Sequence, residues 1–176
     1  MINRKTKTAY PLTLEEVKKH LRIDPDEFDD DSYLENFILK AATRYCENFI
    51  DRDIALTSNV LTYPDFYDEY LRVDEGNLVS IDHIISDTST LITGYTYTQE
   101  DTFFEISFDS YIDNDPLTVQ FTTGYEEGTC PEEIMQAILI KCGDLYDVER
   151  SSYTLGSAKK EAIVDRILMP FKAIRW

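Results

Sequence analysis

The sequence predicts an α+β protein: mainly a bundle of three or four helices, with a β-rich insertion between the second and third helix. Three observations predict it. Two capped helices with one apolar face open the chain, strand-like texture fills Leu56 to Gly124, and a Pro-started apolar helix follows. Helices and strands are therefore segregated along the chain rather than alternating. All 176 residues are expected in one domain, with a helical body at about 10–56 and 130–170 and a β-rich excursion at about 57–124.

Thr13-Leu14-Glu15-Glu16 is a capping box, a Thr followed three residues on by Glu. It opens a helix from Leu14 to about Arg22, with Leu14, Val17, Lys18 and Leu21 on one face, and Asp24-Pro25 ends it. After an acid-rich loop, Ser32 with Glu35 repeats the capping pattern, and the second helix runs to about Asp51. Leu34, Phe37, Ile38, Ala41, Ala42, Tyr45 and Phe49 recur at helical spacing and predict its core face. Six strands are then predicted: Asn59–Tyr63, Tyr70–Val73, Leu78–Ile85, Leu91–Thr98, Phe103–Phe108 and Leu117–Thr123. Gly76-Asn77, Gly94 and Asp113-Asn114-Asp115-Pro116 supply turn or bulge signals. Pro131 starts the third helix, Ile134 to Val148, apolar on nearly every side and so either central to a core or shared with a partner. A last helix, about Ala158 to Met169, is stopped by Pro170.

Composition narrows the function. A hydrophobic fraction of 43% suits a folded chain. No apolar run is long enough to cross a bilayer, and the basic start Met1–Lys7 lacks the apolar stretch of a secretory signal, so the protein is expected inside the cell. Net charge is −17, unevenly spread: Arg4, Lys5 and Lys7 stand without an acid in residues 1–9, and 157–176 is also net basic. A body this acidic repels phosphate backbones. The basic ends can dock on acidic partners or be solvated tails, and for residues 1–9 the tail is preferred.

Specific chemistry is hard to find. Cys46, Cys130 and Cys142 form no CxxC pair, and His20 and His83 are far apart, so reduced structural thiols and no metal site are expected. Read as an EF-hand from Asp24, the loop has Asp29 at position six and Glu35 at twelve, without the required Gly, and with Pro25 and Phe28 intruding. It reads instead as a solvated, helix-capping loop. No phosphate-binding glycine motif and no nucleophile elbow occurs, so no catalytic residue, cofactor or enzyme activity is assigned. The aromatic cluster Tyr63, Phe66, Tyr67 and Tyr70 is either sheet core or interface anchor.

Several of these segments together resemble phage head–tail connector proteins, also called head-completion or adaptor proteins. They are Pro11 to Asp24, Tyr45 to Arg52, Phe121-Thr122-Thr123-Gly124-Tyr125, Pro131 with its helix through Arg150, and Ile167 to Lys172. The resemblance fits the longer members, which carry a β-rich insertion between the second and third helices. It implies a non-enzymatic subunit of a tailed double-stranded DNA phage or prophage, forming a homo-oligomeric ring below the portal. Such a ring extends the DNA channel toward the stopper or tail-completion protein, and an acidic wall would let DNA pass without specific binding. The implied location is the virion, with the host cytoplasm during assembly. Met135, Leu139, Ile140 and Tyr146 on the third helix are the expected subunit interface. Lys159, Lys160, Phe171, Lys172, Ile174 and Trp176 are the expected portal-docking residues, the alternative being a last helix packed on its own domain. Two rival readings are a tail-terminator or tail-completion protein, and a metal-dependent enzyme using the acidic loop 24–31.

Overall fold

The structure, a computed structural model, describes residues 2–86, 90–146 and 163–173. It is mainly β: a six-stranded antiparallel sheet curled into a half-barrel, accompanied by short helices rather than hung on a helical bundle. The expected bundle with an inserted β excursion is thereby corrected. Residues 2–9 and 55–126, with Ala173, form a sheet unit; residues 10–54, 127–146 and 163–172 form a helical unit.

The sheet contains β1 (Ile2–Ala9), β2 (Leu56–Val73), β3 (Leu78–Ser86), β4 (Thr90–Leu91), β5 (Tyr95–Gln99) and β6 (Phe104–Thr123). Strand order is β1-β2-β6-β3-β4, with β5 on β6. Length is what the sequence reading missed. Asn59–Tyr63 and Tyr70–Val73 belong to one 18-residue strand, and Phe103–Phe108 with Leu117–Thr123 to one of 20 residues, apart from Phe103 itself. Pro64 and Pro116 fall where the β2–β6 register slips, between the pairs Tyr63↔Leu117 and Phe66↔Asp115. Proline cannot donate to a ladder, so pairing lapses there as a bulge while both strands run on. The basic residues 2–9, read as a tail, are strand β1, with Ile2↔Thr62 through Lys7↔Thr57 in unbroken register.

The sheet unit buries one face. Phe104, Ile106, Leu117, Val119, Phe121 and Ile84 are fully buried, and the Phe104 and Phe121 rings meet edge-on at 5.0 Å. Phe104, Ile106 and Phe108 share that face, as their alternation predicts. The aromatic cluster divides. Phe66 packs edge-on to Tyr63 and Phe108 at 5.9 Å each, while Tyr67 and Tyr70 are exposed.

In the helical unit, α1 (Leu14–Leu21) has the predicted capping box: the Glu16 N–H donates to Thr13 Oγ1, and the Thr13 N–H to Glu16 Oε2 at 2.8 Å. Arg22 closes it at φ 60°. The next helix differs from expectation. It starts as α2 (Asp31–Tyr33), one residue ahead of the predicted Ser32 cap, with Asp30 at the N-cap and no side-chain capping bond. It continues through a π-turn (Leu34–Leu39) into α3 (Lys40–Ile50). The π-turn rotates the following residues relative to a 3.6-residue count. Leu34, Ile38, Leu39, Ala42, Cys46 and Ile50 are therefore buried, while Phe37 is 64% exposed and Ala41 is exposed. Next, α4 (Glu132–Tyr146) begins on the Pro131 carbonyl, which accepts from Ile134 and Met135 at 3.0 and 3.1 Å. Finally α5, residues 163–168, buries Val164 and Leu168, and Tyr45 Oη donates to Asp165 Oδ1 at 2.9 Å. A 3₁₀ turn, Met169–Phe171, follows with Pro170 in it.

Candidate interaction surfaces

The acidic loop between α1 and α2 is organised by one cation. Lys18, on the face of α1 with Val17, has a buried side chain. Its Nζ donates to the carbonyls of Pro25 (3.1 Å) and Glu27, and pairs with Asp31 Oδ1 at 2.9 Å. The Phe28 ring lies 5.1 Å from the same ammonium. A lysine among the apolar positions of α1, seven residues before Pro25, was the sequence signal for this arrangement. Three oxygens of this loop, two carbonyls and one carboxylate, are thus drawn onto the ammonium. Among the described residues, no three His, Cys, Asp or Glu side chains are grouped to hold a metal ion.

Helix α4 carries the residues expected at a subunit interface. Ile134, Ala137, Ile138, Lys141 and Cys142 face the core, and Lys141 Nζ sits 3.9 Å from the centre of the Tyr45 ring. Met135, Leu139, Ile140 and Tyr146 are half-buried. Ile140 and Tyr146 line an open groove of about 460 Å³ with His20, Leu21, Arg22 and Asp144. The Tyr146 hydroxyl donates to Asp30 Oδ2 at 2.6 Å. That bond, then burial, then the charges of Asp30 and Glu27 push its ionisation up to about 12.

Of the expected docking residues, Lys159, Lys160, Ile174 and Trp176 lie outside the described residues. Phe171 is half-buried, and the Lys172 ammonium lies 5.2 Å from the centre of the Phe49 ring. Lys172 thus lies against the chain's own α3. The three cysteines are free and buried, and burial pushes each thiol up to about 12. Large exposed aromatics are Phe28, Tyr33 and Phe37 in the helical unit and Tyr67, Tyr70, Tyr97 and Tyr111 in the sheet unit. Tyr33 and Phe37 touch, ring centroids 5.8 Å apart. Helical spacing predicts Phe37 in the core, and the structure exposes it.

Charge separates the two sides of the sheet unit. From Val73 to Ile140 there is no Lys or Arg. This stretch supplies β3, β4, β5 and β6, while Arg4, Lys5 and Lys7 lie on β1 at the far edge.

The sequence profile of the family described as phage gp6-like head-tail connector protein matches residues 11–104, more than half of the chain. The chain belongs to the phage gp6-like head-tail connector family. It is thus a structural connector subunit of a phage-like particle. The span covers the opening motif from Pro11 and the Tyr45–Arg52 segment, and includes most of the β-rich stretch at about 57–124. The connector's fold also recurs in solved particles. One similar chain comes from the neck of an empty gene transfer agent particle computed with C6 symmetry (TM-score 0.79, 14% identity). A second comes from the virion of a native gene transfer agent particle (0.77, 14%), and a third from the neck of the native particle computed with C12 symmetry (0.73, 13%). Each alignment covers 100% of this chain and 97% of the other. No curated protein sequence matches the connector.

Proposed function

We propose that copies of this connector close into a ring between the portal protein of a DNA-filled head and the stopper or tail-completion protein, so that DNA passes through the ring. The reading assigns it no catalysis. The observation that carries it, beside family membership, is the base-free run from Val73 to Ile140 in a chain of net charge −17. A passage for DNA must not hold it, and a wall without Lys or Arg offers no counterion-releasing contacts to phosphates. The C6 and C12 symmetry of the particle necks with similar chains supports a ring of copies. On this reading Met135, Leu139, Ile140 and Tyr146 of α4 meet a neighbouring copy, and the C-terminal residues Lys159, Lys160, Ile174 and Trp176 reach the portal. Assembly takes place in the host cytoplasm, and the protein ends in the virion.

Co-sedimentation tests the placement. The protein is expected to sediment with purified tailless heads and not with isolated tails; binding to tails alone would transfer the assignment to a tail-terminator role. Removing residues 174–176 is expected to abolish binding to heads while leaving the thermal midpoint unchanged. The cut is placed there because Phe171 is half-buried and Lys172 lies against Phe49 of the chain's own α3.

A further inference from the structure

We propose that the outer edge of β5 takes an extended segment of a different protein as an added strand, one in which basic and apolar side chains alternate. The contact is independent of ring closure. Strand β5 pairs with β6 in unbroken register, Tyr95↔Phe108 to Gln99↔Phe104, and with no other strand among the described residues. The Asp109 N–H donates to the Gly94 carbonyl at 3.0 Å, and the Glu100 N–H to the Phe103 carbonyl at 2.9 Å. Hydrogen-bonded pairs alternate along an antiparallel ladder. Gly94, Thr96, Thr98 and Glu100 therefore face β6, and the N–H and C=O groups of Tyr95, Tyr97 and Gln99 point away from it. Those of Tyr97 and Gln99 have no bonding partner among the described residues.

This edge lacks the devices that keep sheets apart, which are Lys or Pro on the strand and a bulge. Tyr-Thr-Tyr-Thr-Gln has no charge and no bulge, and Thr96 to Gln99 are exposed. Strand addition to such an edge takes its affinity from main-chain hydrogen bonds and its specificity from alternate side chains.

The two faces of the edge choose those side chains. Residues opposite each other in a ladder share a face. Tyr97 therefore lies on the buried side with Ile106 and Leu71, and Thr98 on the other side with Glu105 and Arg72. On the buried side the sheet is left incomplete at this edge: Tyr97 is 51% exposed and Leu91 58%. They line an open groove of about 640 Å³ with His83, Ile92 and Tyr95. Every second residue of an added strand would fall on this side, and an apolar one would take that surface out of water. The opposite side is acidic. Glu100 is exposed, and the Glu105 carboxylate reaches Arg72 only at 3.9 Å. From Val73 to Ile140 the chain offers no Lys or Arg to balance them. Basic residues at the intervening positions of the added strand would supply the missing charge. A second copy's β5 brings no cation, only further acid at Glu100 and Asp101.

Residue-resolved amide exchange of the full ¹⁵N-labelled chain tests the contact, with an acetylated and amidated Lys-Val-Lys-Val-Lys-Val peptide as probe. The peptide is expected to slow exchange at Tyr97 and Gln99 by about ten-fold or more, and to leave Thr96 and Thr98, already bonded to β6, unchanged. The same peptide N-methylated throughout, and a Glu-Val-Glu-Val-Glu-Val peptide, are expected to give no protection. Glu100→Lys is expected to weaken the basic peptide and admit the acidic one, at an unchanged thermal midpoint. No protection at saturating basic peptide, equal protection by both peptides, or protection confined to other strands would overturn the proposal. Protection of Tyr97 and Gln99 that grows with the concentration of the protein alone would give the edge to a second copy and overturn it as well. Each of these results leaves the connector assignment standing.

Discussion

Lys18 shows how much one side chain can settle. A buried ammonium that loses its partners is costly, and removing it strands two carbonyls and a carboxylate instead. Lys18→Met is expected to destabilise the helical unit by about 2–3 kcal/mol, read as a shift in the denaturant midpoint. Calcium or magnesium is expected to leave the thermal midpoint unchanged, since only an ion bound to the native state would raise it. Tyr146 gives a pH test. Its folded ionisation is raised to about 12 from an ordinary 10.0 by the bond to Asp30, so its contribution is complete below pH 10 and lost as pH rises toward 12. Tyr146→Phe is expected to flatten that alkaline part of the stability profile. The buried thiols, pushed up to about 12, are expected to resist alkylation at neutral pH until the chain unfolds.

At the scale of elements, local signals were legible where chemistry is local. The Thr13–Glu16 capping box, the Pro131 start of α4, the end of β3 near Ile85 and the shared face of Phe104, Ile106 and Phe108 could all be read from neighbouring residues. Features decided by pairing or by an added residue could not. Pro64 and Pro116 look like strand ends, but they oppose each other across one bulge. Arg4, Lys5 and Lys7 look like a tail, because only the β2 partner shows that they are strand. Within α2–α3 the π-turn breaks the 3.6-residue count, so Phe37 leaves the predicted core and Leu39 enters it. Phe37→Ala is accordingly expected to cost less than about 0.5 kcal/mol, and Leu39→Ala about 2–5 kcal/mol. A large cost at Phe37 would restore the simple helical count. Gly124 holds φ 105°, and a Cβ there would run into the Ala55 carbonyl. Gly124→Ala is expected to destabilise the sheet unit more than Phe37→Ala destabilises the helical unit.

For the whole molecule, family was easier to read than architecture. Motif order along the chain pointed to a head–tail connector, and the match over residues 11–104 shows that family. The same motifs suggested a helical bundle because helix caps and stripes are strong signals, while two long strands interrupted by prolines are weak ones. The interaction surfaces were only partly legible. Helix α4 is legible as a helix from its apolar run, but the order of the strands, with β5 beside β6, becomes visible only in the structure. Duplex DNA is expected to show no measurable binding to the protein even at low salt, where phosphate contacts are strongest. The most direct test of the connector assignment is imaging of tailless, DNA-filled heads after addition of purified protein. A closed ring of copies at the portal vertex is the predicted result. Heads left bare, with the protein found on tails or on neither, would contradict the account.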